Sequence, residues 1–367
     1  MMEFNNVWLV ATVLKVVLIP AILMQSVPLM VWVERRGSAF IQDRLGPNRA
    51  PGPFGFTAMG LFHLVADAIK FFTKESIIPT QANRVFYLLA PALVVVQSLM
   101  AYAVMPISDD LVWDNVQIPM SIAHIPGGIV YVFAIASLGV LGIILAGWSA
   151  GSKYPLLGAV RTASQMLSYE VSLGLSVMGI LLIYGTVDLN KIVQGQTPNP
   201  FGWGIIYQPL AFVLFTVIGF AECNRSPFDL PEGESELVAG YHTEYSGMKF
   251  SMFFMAEYIA MMTYSSMIVT LFLGGWQLPF IGTEALRNAF FPIVGSNLAH
   301  LATALCQMAT FAVKVSFFLW LFVWVRWTVP RFRYDQLMNL GWKVILPLTL
   351  VNLAVTAIVM ALKGVAP

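Results

Sequence analysis

Carboxylates crowd the stretch 222–250: Glu222, Asp229, Glu232, Glu234, Glu236 and Glu244 face a single cation, Arg225, until Lys249 is reached. Like charges held so close raise one another's pKa values and titrate as a group, so a change of charge nearby would redistribute their protons. A solvated loop of this kind would do nothing in particular. Here, however, Phe228, Leu230, Leu237, Val238, Tyr241 and Tyr245 alternate with the acids. That mixing indicates a segment packed into an interface or a cavity.

Other titratable residues stand inside long apolar runs. Glu170, Glu257 and Lys314 each carry a penalty of about 2.5–3.5 kcal/mol on membrane-insertion scales unless paired or hydrated. Glu170 lies about eight residues, or ~12 Å of helix rise, into its run. One reading is a buried ion pair, Glu170 or Glu257 with Lys314, kept for packing specificity. The other is a proton-handling site, since carboxylates in low dielectric change state near neutral pH. The second is favoured because the acids do not stand alone.

The elements that must position these groups are membrane spans. Of 367 residues, 58% are hydrophobic and 11% charged, with a mean hydropathy of +0.76. A soluble domain would carry about a quarter charged residues. The expected fold is a single all-α polytopic membrane domain over 1–367, with about eight transmembrane helices near 7–33, 84–106, 127–147, 162–184, 207–222, 251–274, 303–325 and 343–362. The fifth is short and needs its flanks to complete a crossing. The first is far longer than a signal-peptide core and ends in Glu34-Arg35-Arg36, so it reads as a retained helix.

Of the twenty Lys and Arg, all but Lys15, Lys191, Arg287, Lys314 and Lys363 fall on one side of this arrangement. Basic residues resist translocation, which places both termini outside and the odd-numbered connections in the cytoplasm. The outer connections, 107–126, 185–206 and 275–302, are bland. The first inner connection, ERRGSAFIQDRLGPNRAPGP at 34–53, is rich in Arg, Gly and Pro, a composition that disfavours a long helix and favours a fixed, turning path. Beyond it, His63, Asp67, Lys70 and Lys74 recur at helical spacing opposite Leu61, Leu64, Val65, Ala68, Phe71 and Phe72. This predicts an amphipathic interfacial helix over about 56–74. It is either a simple anchor or one wall of a cavity with Asp67 facing inward, and periodicity does not choose.

Several chemistries are excluded. Cys223 and Cys306 alone cannot hold an iron–sulfur cluster or structural zinc, so any flavin or cluster belongs to another chain. There is no nucleotide-cradling glycine loop. His63, His124, His242 and His300 are scattered and never reach metal-ligand spacing, and no metal site is expected. A net charge of +1 without a basic run makes nucleic acid an improbable partner.

The segments WVERRGSAFIQDRLGPNR (32–49), ADAIKFFTKE (66–75), RTASQMLSYEVSL (161–173), FAECNRSPFDLPEGESELVAGYHTEYSGMKF (220–250), FFMAEY (253–258) and VRWTVPRFRYDQLMNLGWK (325–343) closely resemble the quinone-site membrane subunits of respiratory complex I, the family that includes mitochondrial subunit 1 and its bacterial equivalent. The resemblance runs in order through most of the chain and is weak in the outer connections. His63 stands where the family has glutamine, and Cys223 where it has threonine.

That resemblance implies a multi-pass subunit of the bacterial inner membrane, within a proton-pumping NADH:quinone oxidoreductase, a translocase of the EC 7.1.1 type. Its substrate would be ubiquinone or menaquinone. Its partners would be the peripheral-arm quinone-site and iron–sulfur subunits, which carry the flavin and clusters, and the small and antiporter-like membrane subunits. By motif, Arg35, Arg36, Arg44, Asp67, Arg225 and Phe228 would line or support the quinone chamber. Glu170, Glu222, Asp229, Glu232, Glu234, Glu236, Glu244 and Glu257 would form the proton-coupling acidic funnel. Arg161, Arg331 and Arg333 would be counter-charges or docking contacts. No residue of this chain is expected to transfer electrons itself. A self-sufficient ion-coupled transporter using Glu170, Glu257 and Lys314, and the equivalent subunit of a hydrogenase-type complex, are the alternatives. The transporter predicts two comparable halves, and none is visible.

Overall fold

A computed structural model describes residues 6–50, 55, 57–114, 116–231, 233 and 237–363, without the side chains of Ile293 and Val294. Glu232, Glu234 and Glu236 therefore lie outside the described residues. The apolar runs are helices, because backbone in hydrocarbon must satisfy its hydrogen bonds internally. In chain order these are α1 (Asn6–Ile41), α2 (Phe62–Thr73), α3 (Arg84–Tyr102), α4 (Gly128–Ser149), α5 (Lys153–Tyr184), α6 (Leu189–Gly195), α7 (Pro209–Glu222), α8 (Met248–Phe272), α9 (Thr283–Val294), α10 (Ser296–Thr328) and α11 (Tyr334–Leu362). Among the described residues, α1, α3, α4, α5, α8, α10 and α11 are long and apolar enough to cross a membrane. The chain is an all-α, multi-pass membrane protein, with a two-stranded hairpin, Leu111–Trp113 against Val116–Ile118, between α3 and α4.

α7 has 14 residues, about 21 Å of rise, which is short of a ~30 Å hydrocarbon core. The chain after it does not emerge into water: Cys223, Asn224, Arg225, Phe228, Asp229 and Leu230 are all buried. Irregular backbone at membrane depth is tolerated when protein satisfies it. Gln165 on α5 does so, donating to the Ala221 carbonyl at 2.7 Å and the Phe228 carbonyl at 3.0 Å. The acidic connection is thus folded back into the bundle. It lies directly on α5, where a Cβ on Gly158 would come within 2.7 Å of the Tyr241 backbone nitrogen.

α8 is the central helix, packed against α3, α10 and α1, and every residue from Met261 to Phe272 is buried. α4 wedges between α3 and α5 on small residues. A Cβ on Gly142 would sit 2.5 Å from the Val94 side chain, the close approach that glycine permits between spanning helices.

Three local expectations need correction. α1 does not stop at residue 33 but runs helically through Arg35 and Arg36 to Ile41. The Arg, Gly and Pro composition of 34–53 turns the chain only after its first eight residues. The 275–302 connection, read as bland, contains a helix of its own, α9. The reading that paired Lys314 with Glu170 or Glu257 is also set aside, since among the described residues this lysine meets no acid. Its ammonium donates to the carbonyls of Leu273 (2.8 Å), Gly275 (3.0 Å) and Gln277 (2.8 Å), just past the end of α8, where the helix leaves acceptors without intrahelical partners. Lys15 does the same for the connection between α3 and α4, reaching the Pro119 carbonyl at 2.6 Å and that of Ser121 at 3.1 Å.

Candidate functional site

At one end of the bundle α1, α2, α8 and α10 enclose a cavity of about 540 Å³. Its walls are apolar, with Val27, Val31, Leu64, Phe71, Phe254 and Met255 among them, and its polar end gathers Glu34, Arg35, Arg44, Asp67, Tyr258 and Arg326. That size falls within the range of pockets that hold organic ligands. α2 is a wall of it, contributing Leu64, Ala68 and Phe71 beside Asp67 and Lys70, and Asp67 meets Arg35 at 2.6 Å and Lys70 at 3.0 Å. Burial works against the Asp67 carboxylate, but Lys70 and Arg35 outweigh it and hold the carboxyl below its ordinary range. His63 Nε2 accepts from the backbone N–H groups of Arg49 (3.2 Å) and Ala50 (3.1 Å), pinning the turning first connection to α2.

Behind the polar end lies a network centred on Glu34. Its carboxylate accepts from Arg326, from the Tyr258 hydroxyl at 2.5 Å and from Arg225 at 3.4 Å. Arg225 also stands 3.8 Å from Glu257, and its guanidinium lies 4.3 Å over the Tyr258 ring. Glu34, Glu257 and Tyr258 thus surround the buried guanidinium with acceptors and an aromatic face. Asp229 pairs with Arg331 at 2.6 Å. Arg326 and Arg225 add further positive charge around it.

Deeper still, Glu257, which accepts from the Tyr241 hydroxyl at 3.3 Å, lines a second cavity of about 50 Å³ together with Glu222, Asn224 and Tyr264. A pocket with several polar partners and more than about 15 Å³ of such space can hold water. Glu222 is buried, sits beside the Tyr264 hydroxyl and lies within electrostatic reach of Glu170. One Glu222 oxygen and one Glu170 oxygen have no protein partner. The carboxylates therefore form an ordered series from the large cavity inward: Glu34, Glu257, Glu222, Glu170.

The structure gathers some sequence-selected residues here and separates others. Arg35, Arg44 and Asp67 line the large cavity, and Arg225 stands one layer behind it. Arg36 points away: Nε and one terminal nitrogen donate to the Met59 carbonyl at 3.1 and 2.8 Å. Phe228 is buried against Tyr169 and Phe332 and is not among the residues lining either cavity. Glu244 contributes a backbone carbonyl, which accepts from the Tyr87 hydroxyl at 2.7 Å. Arg333 is exposed beside Asp335.

Sequence reasoning missed Glu34, Tyr258 and Arg326. Glu34 reads as the polar flank of a span and Arg326 as a basic helix end. No local spacing links positions 34, 225, 257, 258 and 326.

A family model described as "NADH dehydrogenase" matches residues 14–357. The chain is similar to a subunit of NADH-quinone oxidoreductase from Bdellovibrio bacteriovorus, 43% identical over 94% of this chain and 95% of that protein. It is also similar to the correspondingly named protein of Salinibacter ruber, 44% identical over 98% of each. "NADH-quinone oxidoreductase subunit 8" of Rhodothermus marinus is 44% identical, over 96% of this chain and 97% of that one.

Proposed function

Because the chain belongs to the NADH dehydrogenase family, we propose that it is the quinone-site membrane subunit of a proton-translocating NADH:quinone oxidoreductase. The observation that carries the reading is the position of Glu34. It lies on the wall of the large cavity and is bonded to Arg225, which reaches Glu257 at the start of the inner acid series.

The cavity fits a quinone as substrate. Its apolar walls suit an isoprenoid tail, and Asp67, Arg35 and Arg44 supply polar contacts for a head group. A quinone supplies the acceptor chemistry, taking up electrons and protons as it becomes a quinol. The electrons arrive from flavin and iron–sulfur centres on partner chains of the peripheral arm, since this chain has only two cysteines.

This chain's residues hold and relay charge. Asp67 and Arg35 fix the polar end of the cavity. A charge change there alters the field at Glu34, because in low dielectric even a single unit acts strongly over a few ångströms. Arg225 and Arg326 redistribute between Glu34, Glu257 and Asp229, and Glu257, Glu222 and Glu170 adjust their protons. Glu232, Glu234 and Glu236, which lie outside the described residues, are proposed as further titrating groups on the strength of the sequence motif alone. Antiporter-like membrane partners complete the translocation. We place the protein in the bacterial inner membrane, and the excess of Lys and Arg on one side of the spans supports an orientation with both termini outside.

The test is Glu222→Gln and Glu257→Gln in the assembled complex. Both variants are expected to assemble and to lose most quinone reduction coupled to proton uptake, read as NADH oxidation with a short-chain quinone beside a pH-gradient dye. Wild-type coupled rates in both would defeat the assignment. The stand-alone transporter is not favoured, since Lys314, one leg of its ion path, is fully engaged with backbone carbonyls.

A further inference from the structure

Arg36 leaves the large cavity for a different site. At the same end of the bundle, on the outward side of α1 and α10, a groove of about 390 Å³ is lined by Trp32, Arg36, Phe40, Arg44 and Trp320, with Gly37 and Gly46 among the small residues that open it. Its lining contains no carboxylate, and neither Arg36 nor Arg44 is ion-paired among the described residues.

The Arg36 guanidinium is held in place. Nε and Nη2 donate to the Met59 carbonyl, and Trp32 Nε1 donates to the same oxygen at 3.1 Å. Met59 offers that oxygen from a positive-φ turn, with φ at 54°. The Nη1 edge of Arg36 is thereby left free in a fixed orientation, the planar fork that matches a phosphate.

The surroundings set the depth of the site. Trp320 stacks on Trp324 with ring centroids 5.2 Å apart, both are about half exposed, and Phe40 (87%) and Leu45 (84%) stand open at the margin. Tryptophan clusters at the boundary between hydrocarbon and head groups. Basic pockets between spanning helices there take lipid phosphates. An apolar margin favours a ligand that brings its own acyl chains over free phosphate in water.

We propose that this groove binds the phosphate of an anionic phospholipid, with Arg36 as the principal ligand and Trp320 packing on the glycerol and acyl region. The groove shares Arg44 with the rim of the large cavity, but Arg36 and Trp320 belong to the groove alone, and lipid binding there does not depend on the reaction assigned to the cavity.

The experiment uses the intact complex, purified in mild detergent, stripped of lipid and titrated with phosphatidylglycerol or phosphatidylcholine while native mass spectrometry counts bound lipids. Arg36→Gln is expected to weaken phosphatidylglycerol binding about fivefold, the effect of one basic group near the membrane surface, and to leave phosphatidylcholine unchanged. Trp320→Ala, which keeps the Met59 anchor intact, is expected to weaken both lipids. Retention of wild-type phosphatidylglycerol affinity in either variant overturns the proposal. So does competition by inorganic phosphate as effective as that of lipid, or a photo-crosslinker at position 320 that captures a partner polypeptide instead of lipid.

Discussion

Arg225 stands between two carboxylates far apart in the sequence, 3.4 Å from Glu34 on one side and 3.8 Å from Glu257 on the other. Glu34 faces the large cavity and Glu257 the small one, so this one guanidinium joins the two compartments. Removing one partner of such a buried pair leaves an uncompensated charge, which costs about 3–5 kcal/mol. Glu34→Ala is therefore expected to lower the thermal stability of the assembled complex and to abolish coupled quinone reduction. Glu34→Gln keeps the hydrogen-bonding shape and is expected to recover much of the stability but little of the coupling. Differential scanning of the purified complex beside a pH-gradient assay separates the two effects, and equal coupling in Gln and wild type would remove Glu34 from the relay.

Phe228→Ala is expected to act on folding. The ring packs edge-on to Tyr169 at 5.8 Å between centroids and against Phe332 at 5.5 Å, away from the cavity. Truncating a buried Phe costs about 3–5 kcal/mol. Assembly yield and melting temperature should fall, and the apparent KM for quinone in the complex that survives should stay at the wild-type value. A KM raised several-fold would place the ring on the quinone path after all.

His242 gives a pH dependence with a definite sign. Packed against Tyr241, Phe250 and Phe254, it is buried as the neutral ring, and desolvation lowers its pKa from 6.5 to about 4. Between those values the unfolded segment binds a proton that the folded one refuses, so stability falls as pH drops from 6.5 towards 4. The full loss is about 3 kcal/mol at 1.36 kcal/mol per pH unit. Hydrogen exchange over residues 240–247 should quicken across that range. His242→Phe should flatten the dependence, and an unchanged slope in that variant would show that another group is responsible.

Lys314→Met distinguishes a structural lysine from a relay. The ammonium makes three hydrogen bonds to carbonyls beyond the end of α8 and lies 4.4 Å over the Trp203 ring. At about 1–1.5 kcal/mol for each bond, the substitution is expected to destabilise the complex by several kcal/mol while the assembled fraction keeps its ratio of protons moved to quinone reduced. A halved ratio with normal stability would instead put Lys314 on the proton route.

Much of this was legible in the amino-acid order. Long apolar runs dictate spanning helices, because hydrocarbon leaves the backbone no other partner, and the four-three-four spacing of His63, Asp67, Lys70 and Lys74 dictates a one-sided helix. The density of acids after Glu222, interleaved with apolar and aromatic residues, points to a connection packed into the protein, and Asp229, Leu230, Leu237, Tyr241 and Tyr245 are indeed buried. Three-dimensional packing decided which acids matter to one another. A helical period speaks only to neighbours three or four residues away, whereas Glu34 meets Arg326 across the whole chain, Arg36 turns outward while Arg35 turns in, and Phe228 is drawn into an aromatic cluster. Charge and hydropathy are properties of single residues and survive in a linear string. A buried ion pair is a property of two helices brought together, and it exists only once they pack.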